Sequence, residues 1–161
     1  MPRAYADADT VEDMARQMLP TFHPELATAR IKYILVDKGS QKGGRPVFGK
    51  CRRISGALEY LLELDFLVEV SGDIWNELSV EQRQSLVDHL LERCTGEEDE
   101  NTGEMVWKLR EPDVQEFATI LRRRGAWTAE LTEFVSVAKT LDVEGILEEI
   151  EGEEIVTTMS E

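Results

Sequence analysis

The sequence predicts a single α+β domain, in which a small and mainly antiparallel sheet packs with several helices. The chain has 161 residues, of which 42% are hydrophobic and 32% charged, a size and composition that suit one domain with its own core. Short runs of branched and aromatic residues, typical of buried strands, alternate with stretches that repeat apolar residues at helical spacing. No apolar run approaches the roughly 20 residues of a membrane span, so a membrane protein is not expected.

Four short runs rich in β-branched and aromatic residues are predicted to be strands. They are residues 31–36, 47–51, 66–70 and 105–109. The first two flank a loop at 38–46 that contains three glycines and ends in Pro46, so we expect them to pair as a hairpin. Residues 95–104 are polar and acidic and are predicted to form a loop.

Capping patterns predict where the helices begin. Asp9 or Thr10 begins the first helix, which Pro20 is expected to end. Ser79 and Gln82 stand three residues apart and form a capping box at the start of another helix. Further helices are predicted at 55–62, at 113–124, where Asp113 and Glu116 form a second capping pattern, and at 130–141.

The charge is strongly negative and unevenly distributed. The formal net charge is −15, yet residues 30–53 hold eight basic side chains and one acidic one, a local charge of +7. Residues 140–161 contain eight acids and no base. An acidic body disfavours nonspecific binding to nucleic acid or to anionic membranes. We therefore expect a partner protein with a basic surface, while the basic segment keeps direct nucleic-acid binding as a less favoured alternative.

Two cysteines and two histidines limit the chemistry available. Cys51 and Cys94 make neither a disulfide framework nor a CxxC motif, so we expect reduced thiols without a redox role. The N-terminus lacks the charged-then-apolar pattern of a signal peptide, which predicts a cytosolic protein. With only His23 and His89, a three-histidine metal site is excluded.

His89 lies within a predicted helix, where a zinc hydrolase could carry a His-Glu-x-x-His motif. That motif needs a second histidine four residues on, because positions i and i+4 share a helix face, and a glutamate next to the first histidine to activate water. Leu90 and Arg93 stand at those two positions. Glu92 could form a histidine–carboxylate pair with His89, although a surface histidine beside solvated charges is the simpler interpretation.

Several segments, in order and at plausible spacing, resemble the phage metallopeptidase family. They are His23 to Leu26, Ile31 to Val36, Asp73 to Leu78, Glu81 to His89, Trp107 to Arg110, Asp113 to Phe117, and Gly125 to Trp127. The resemblance covers roughly residues 20–130. It implies a zincin-like α+β fold with a His-Glu-x-x-His helix and a later histidine. We therefore predict a metallopeptidase-like domain at 1–139, followed by an acidic C-terminal tail at 140–161.

The chain departs from the family pattern at the positions that the resemblance makes catalytic. His89 matches the first zinc ligand, whereas Leu90 replaces the catalytic glutamate, Arg93 the second histidine and Pro112 the later histidine. A positive charge at Arg93 would also oppose a divalent cation. We therefore predict a degenerate member without a cofactor or catalytic residues. The alternative is a zinc-dependent hydrolase with a relocated site, using His89 with residues drawn from Glu92, Cys94, Asp113 and Glu116.

The resemblance and the charge together suggest a protein that acts by binding a macromolecule in the cytoplasm of an infected host. An acidic inhibitor of a host defence system that mimics the charge of DNA would fit this description. The alternatives are the substituted zinc hydrolase and a nucleic-acid binder that uses residues 30–53. The candidate binding residues are Glu97, Glu98, Asp99 and Glu100 in the acidic loop and Lys38, Lys42 and Arg45 in the basic loop.

Overall fold

The computed structural model describes residues 2–141, and its contacts divide the chain into two compact units, one ending at Glu111 and one beginning at Pro112. The predicted α+β class is confirmed. The first unit contains eight strands among its described residues: β1 Tyr5–Asp7, β2 Ile31–Val36, β3 Gln41–Lys42, β4 Arg45–Pro46, β5 Gly49–Arg53, β6 Phe66–Ser71, β7 Cys94–Glu98 and β8 Met105–Leu109. Its helices are α1 Asp9–Phe22, α2 Ala57–Leu62, α3 Gly72–Glu77 and α4 Val80–Glu92, with a short 3-10 helix at Pro24–Leu26.

The main sheet has the strand order β1-β2-β6-β5. β2 runs parallel to β6, while β1 pairs antiparallel with β2 and β5 pairs antiparallel with β6. The expected hairpin between the first two predicted strands is therefore wrong, because β6 separates β2 from β5. The apolar side chains of β6 explain its central place: Phe66, Val68 and Val70 are fully buried, and neighbours on both edges satisfy the backbone of such a strand.

The core of this unit lies between the sheet and the helices α1 and α4. Val11 and Ala15 of α1 are buried, as are Val87, Leu90 and Leu91 of α4. Both helices bury one apolar face, as their spacing predicts. α4 is thereby fixed against the sheet, which sets the position of the residues discussed below.

Two helix predictions need correction. Pro20 lies inside α1 and does not end it. Proline removes only its own N–H, and the backbone N–H of His23 still donates to the Leu19 carbonyl at 3.0 Å, so the last turn closes beyond the proline. The leucines of α2, predicted to share a face, are exposed and do not join the core.

The second unit contains the helices α5 Ala118–Arg124 and α6 Ala129–Leu141. The predicted capping pattern of Asp113 and Glu116 is wrong, because α5 begins later, after Phe117, and has no side-chain cap. Glu116 instead accepts hydrogen bonds from the Phe117 backbone N–H at 2.7 Å and from the Trp127 indole at 3.0 Å. α5 ends at Gly125, as its glycine and preceding arginines predict.

The boundary predicted at residue 139 stays a prediction, and the acidic tail lies outside the described residues from residue 142 onward. Among residues 2–141, no helix combines the length and the apolar character that crossing a membrane requires.

Candidate functional site

α4 carries the residues that the resemblance places at a catalytic site. Its capping box is present as predicted: the Gln82 backbone N–H donates to Ser79 Oγ at 3.1 Å, and the Ser79 N–H donates to Gln82 Oε1 at 3.0 Å. These reciprocal bonds fix the first turn of the helix. The buried face of α4 points into the core, and His89 lies on its exposed side.

An open, mainly apolar groove of about 640 Å³ runs beside α4. Phe48 and Gly49 line one side, and Leu78 and Leu86 line another. His89 also borders the groove. Grooves of this size with few polar groups are typical binding sites, so the exposed side of α4 retains a concave surface next to His89.

Leu90 occupies the position at which the family resemblance implies a catalytic glutamate. Its side chain is only 2% exposed and belongs to the hydrophobic core. It also packs on the backbone of β5, where a Cβ added to Gly49 would lie 2.8 Å from Leu90 Cδ1. A carboxylate at this position would therefore be placed in apolar surroundings.

Arg93 and Glu92 are both committed to ion pairs. Arg93 Nη2 lies 3.0 Å from Glu111 Oε1, and Glu92 pairs with Arg110. Cys94 is buried, with its sulfur 3.6 Å from the Leu90 carbonyl oxygen. The residues that follow His89 along the helix therefore bind other protein groups.

His23 was not among the sequence-predicted site residues, yet it contacts α4. Its side chain is 1% exposed, and Nε2 lies 2.6 Å from Asp88 Oδ1. Nδ1 lies 3.6 Å from Glu92 Oε2. The signal available in the sequence was the His23-to-Leu26 segment, which belongs to the family resemblance. His23 thus ties the segment after α1 to the acidic side chains of α4, a structural role that spacing alone does not indicate.

The donor set around His89 does not fit the zinc site that the family pattern implies. Tetrahedral zinc in a hydrolase needs three protein ligands and a water position. Across residues 2–141, no three His, Cys, Asp or Glu side chains form a group that could hold a metal ion. The alternative ligands Asp113 and Glu116 are residues of the second unit, which is described by itself. Pro112, at the position of the later histidine, offers no donor side chain.

The predicted acidic loop is largely a β-hairpin. Glu97 and Glu98 belong to β7, which pairs with β8, so only the turn at 99–104 lies outside the strands. Asp99 organises this turn, because its carboxylate accepts the Asn101 N–H at 2.8 Å. Glu97 Oε1 lies 2.5 Å from Lys108 Nζ, and the hydrogen bond and charge of Lys108 lower the pKa of Glu97.

The acids of this hairpin therefore differ in their partners. Glu97 is neutralised by Lys108, whereas Glu98 and Glu100 are exposed and have no ion pair among the described residues. These two carboxylates supply about half of the uncompensated negative charge at this end of the hairpin, with Asp99 and Glu104 supplying the rest.

The predicted basic loop is also partly ordered. Lys42 and Arg45 lie opposite each other on β3 and β4, joined by Gly43 and Gly44 with φ of 59° and 77°. Two residues with positive φ are typical of the tight turn that suits a hairpin. Lys42 and Arg45 are exposed, as is Lys38 before the hairpin.

Three of the eight basic side chains in residues 30–53 bind acids of the first unit. Arg30 contacts Asp65 at 3.0 Å, and Lys32 contacts Asp7 at 3.0 Å. Arg53 lies 3.8 Å from Glu59. The segment is therefore less available to an external anion than its formal charge of +7 indicates.

Comparison with known proteins places this chain in a family. The family model described as "Putative phage metallopeptidase" matches residues 3–141, which is most of the chain. Searches of curated proteins and of solved structures found no match. The mixed helices and mainly antiparallel strand pairing are consistent with the zincin-like fold that the resemblance implies. The chain therefore belongs to the putative phage metallopeptidase family.

Proposed function

We propose that this chain is a catalytically degenerate member of its family that acts by binding a macromolecular partner in the host cytoplasm. The proposal rests on the residues that α4 carries at the catalytic positions of the family. His89 borders an apolar groove, while the next residue, Leu90, is part of the core. A surface that keeps the groove without the groups that activate water supports binding rather than hydrolysis.

The charge distribution supports a partner protein with a basic surface. The chain carries −15 overall, and Glu98 and Glu100 project from the β7–β8 hairpin without ion pairs among the described residues. Complementary charges steer association and raise its rate. An inhibitor that presents acidic groups to a protein surface made for DNA is one partner relation that fits. Direct nucleic-acid binding has weaker support, since Arg30, Lys32 and Arg53 are paired with acids.

The test begins with capture of a host protein by the full chain, followed by binding kinetics with the purified partner. Raising salt from about 50 to 300 mM shortens the Debye length to below about 8 Å, so association should slow strongly. Reversing Glu98 and Glu100 to lysine should slow association about tenfold or more, with a smaller effect on dissociation. The matched control reverses Asp13 and Glu25, two exposed acids on other elements, which changes the net charge equally.

Replacing His89 with alanine separates this proposal from the zinc hydrolase. Binding should persist, because no catalytic role is assigned to that imidazole. The proposal would be contradicted if association did not depend on salt or on the reversal of Glu98 and Glu100, while the His89 variant lost both the complex and a zinc-dependent hydrolase activity.

A further inference from the structure

Two cysteines that are far apart in the sequence meet at one backbone carbonyl. Cys51 Sγ on β5 lies 3.0 Å from the Leu90 carbonyl oxygen, and Cys94 Sγ at the start of β7 lies 3.6 Å from the same atom. The two sulfurs therefore lie close together, within reach of one atom. The fold therefore forms a dithiol pair that the absence of a CxxC motif concealed.

The two thiols differ in their access to solvent. Cys51 is half-buried and lines a shallow pocket of about 340 Å³, whose charged lining residues are Lys50, Arg52, Arg53 and Glu69. Cys94 is only 1% exposed. A small reagent therefore reaches Cys51 first, and a lining of three cations against one carboxylate favours a reagent that carries carboxylates.

The two thiols also differ in their tendency to ionise. The interaction with the Cys94 thiol lowers the pKa of Cys51, burial opposes this shift, and the charge of Arg93 assists it. The interaction with the Cys51 thiol and burial raise the pKa of Cys94. Since the thiolate is the attacking species in thiol–disulfide exchange, Cys51 is suited to attack and Cys94 to follow.

We propose that Cys51 and Cys94 form a reversible dithiol–disulfide pair that exchanges with an anionic low-molecular-weight disulfide of the glutathione disulfide class. In the first step the Cys51 thiolate attacks one sulfur of the reagent, forms a mixed disulfide and releases one thiolate. In the second step Cys94 loses its proton to solvent and attacks the Cys51 sulfur, which releases the second thiolate. The protein loses two protons and two electrons, and the reagent takes up both electrons and two protons to become two thiols.

The bond would join β5 to the segment that follows α4. Closure requires the two sulfurs, which both lie within 3.6 Å of the Leu90 carbonyl oxygen, to approach each other to about 2.05 Å. The proposal does not depend on the binding function, because it rests on the two thiols alone.

The experiment treats the folded full chain with glutathione disulfide at neutral pH and follows intact mass and peptide maps. We expect the wild type to lose two hydrogens without retaining glutathione, with Cys51 joined to Cys94 in the map. Excess reduced glutathione should restore both thiols. Variant Cys94→Ser should stop at the mixed disulfide on Cys51, and Cys51→Ser should react at least about tenfold more slowly than Cys94→Ser.

The wild-type peptide map keeps the test valid even if a variant folds poorly, and Cys94→Ala provides a second replacement for the buried thiol. A wild type that retains glutathione without an internal disulfide would overturn the proposal. Oxidation that occurs only in denaturant, a disulfide between two chains, or equal reactivity of the two single variants would overturn it as well.

Discussion

Replacing Leu90 with glutamate tests whether the catalytic position of the family has become part of the core. Leu90 is 2% exposed and packs against Gly49, so the substitution removes well-packed apolar contacts. Truncating a buried leucine costs about 2–5 kcal/mol, and an uncharged but polar carboxyl in the same place should cost about 3 kcal/mol or more. This is a large share of the roughly 5–15 kcal/mol that stabilises a typical domain.

The loss of folding stability caused by Leu90→Glu should also increase with pH. Burial raises the pKa of the introduced carboxyl above its unfolded value of about 4.3, because the charged form is poorly solvated. Stability is then retained below the unfolded pKa and lost as the pH rises toward the folded pKa, by about 1.4 kcal/mol for each pH unit in that window. Between pH 5 and pH 8 the variant should lose up to about 4 kcal/mol relative to the wild type.

Urea denaturation at pH 5 and pH 8 measures both effects. Leu90→Gln is the matched control, since it is polar and of similar size but cannot ionise, so its destabilisation should not depend on pH. Leu90→Met should cost less than about 1.5 kcal/mol. A Leu90→Glu chain as stable as the wild type at both pH values would refute the reasoning, because it would show that a carboxylate at position 90 is solvated rather than buried.

Three further predictions concern charge and metal. Asp65→Asn should destabilise the protein by about 2 kcal/mol at pH 7 in urea denaturation. Burial alone would raise the pKa of Asp65, but the hydrogen bonds from Arg30 and the charges of Arg30 and Arg53 lower it. The wild-type advantage should therefore disappear as the pH falls through the folded pKa, and a difference in stability that persists at acidic pH would contradict this. Lys38, Lys42 and Arg45 are the exposed cations of the basic loop. Replacing each of them with glutamine should change the free energy of unfolding by no more than about 0.5 kcal/mol, and a larger loss would show a structural role. Purified protein should hold less than about one-tenth equivalent of zinc, and chelators should leave its Tm unchanged; stoichiometric zinc that stabilises the fold would restore the hydrolase alternative.

Local sequence patterns predicted the parts of the fold that depend on neighbouring residues. The capping box of Ser79 and Gln82 is present because both of its hydrogen bonds join residues three positions apart. β2 and β6 were also predicted from local sequence, because a run of branched side chains favours a strand whatever its partner strands are. The pairing of β5 with β6 was missed because strand neighbours are chosen by packing across the whole sheet.

The same distinction between local patterns and tertiary packing applies to the candidate site. His89 and Leu90 are neighbours on α4 and Arg93 directly follows its last residue, so their relation to the family motif could be read directly from the sequence. The approach of His23 to Asp88 and the meeting of Cys51 with Cys94 depend on tertiary packing. No spacing rule connects residues that the chain brings together only after the sheet has formed.

The central place of β6 determines when the sheet can form as the chain leaves the ribosome. β2 and β5 are both made before β6, yet each bonds to β6 and neither bonds to the other. A nascent chain that ends before Phe66 therefore has only the β1–β2 pair of this sheet available. Release of Phe66–Ser71 from the exit tunnel supplies two rows of hydrogen bonds at once, and such distant pairings are the slow steps of folding. Before β6 has emerged, β5, which carries Cys51, has no partner strand in this sheet.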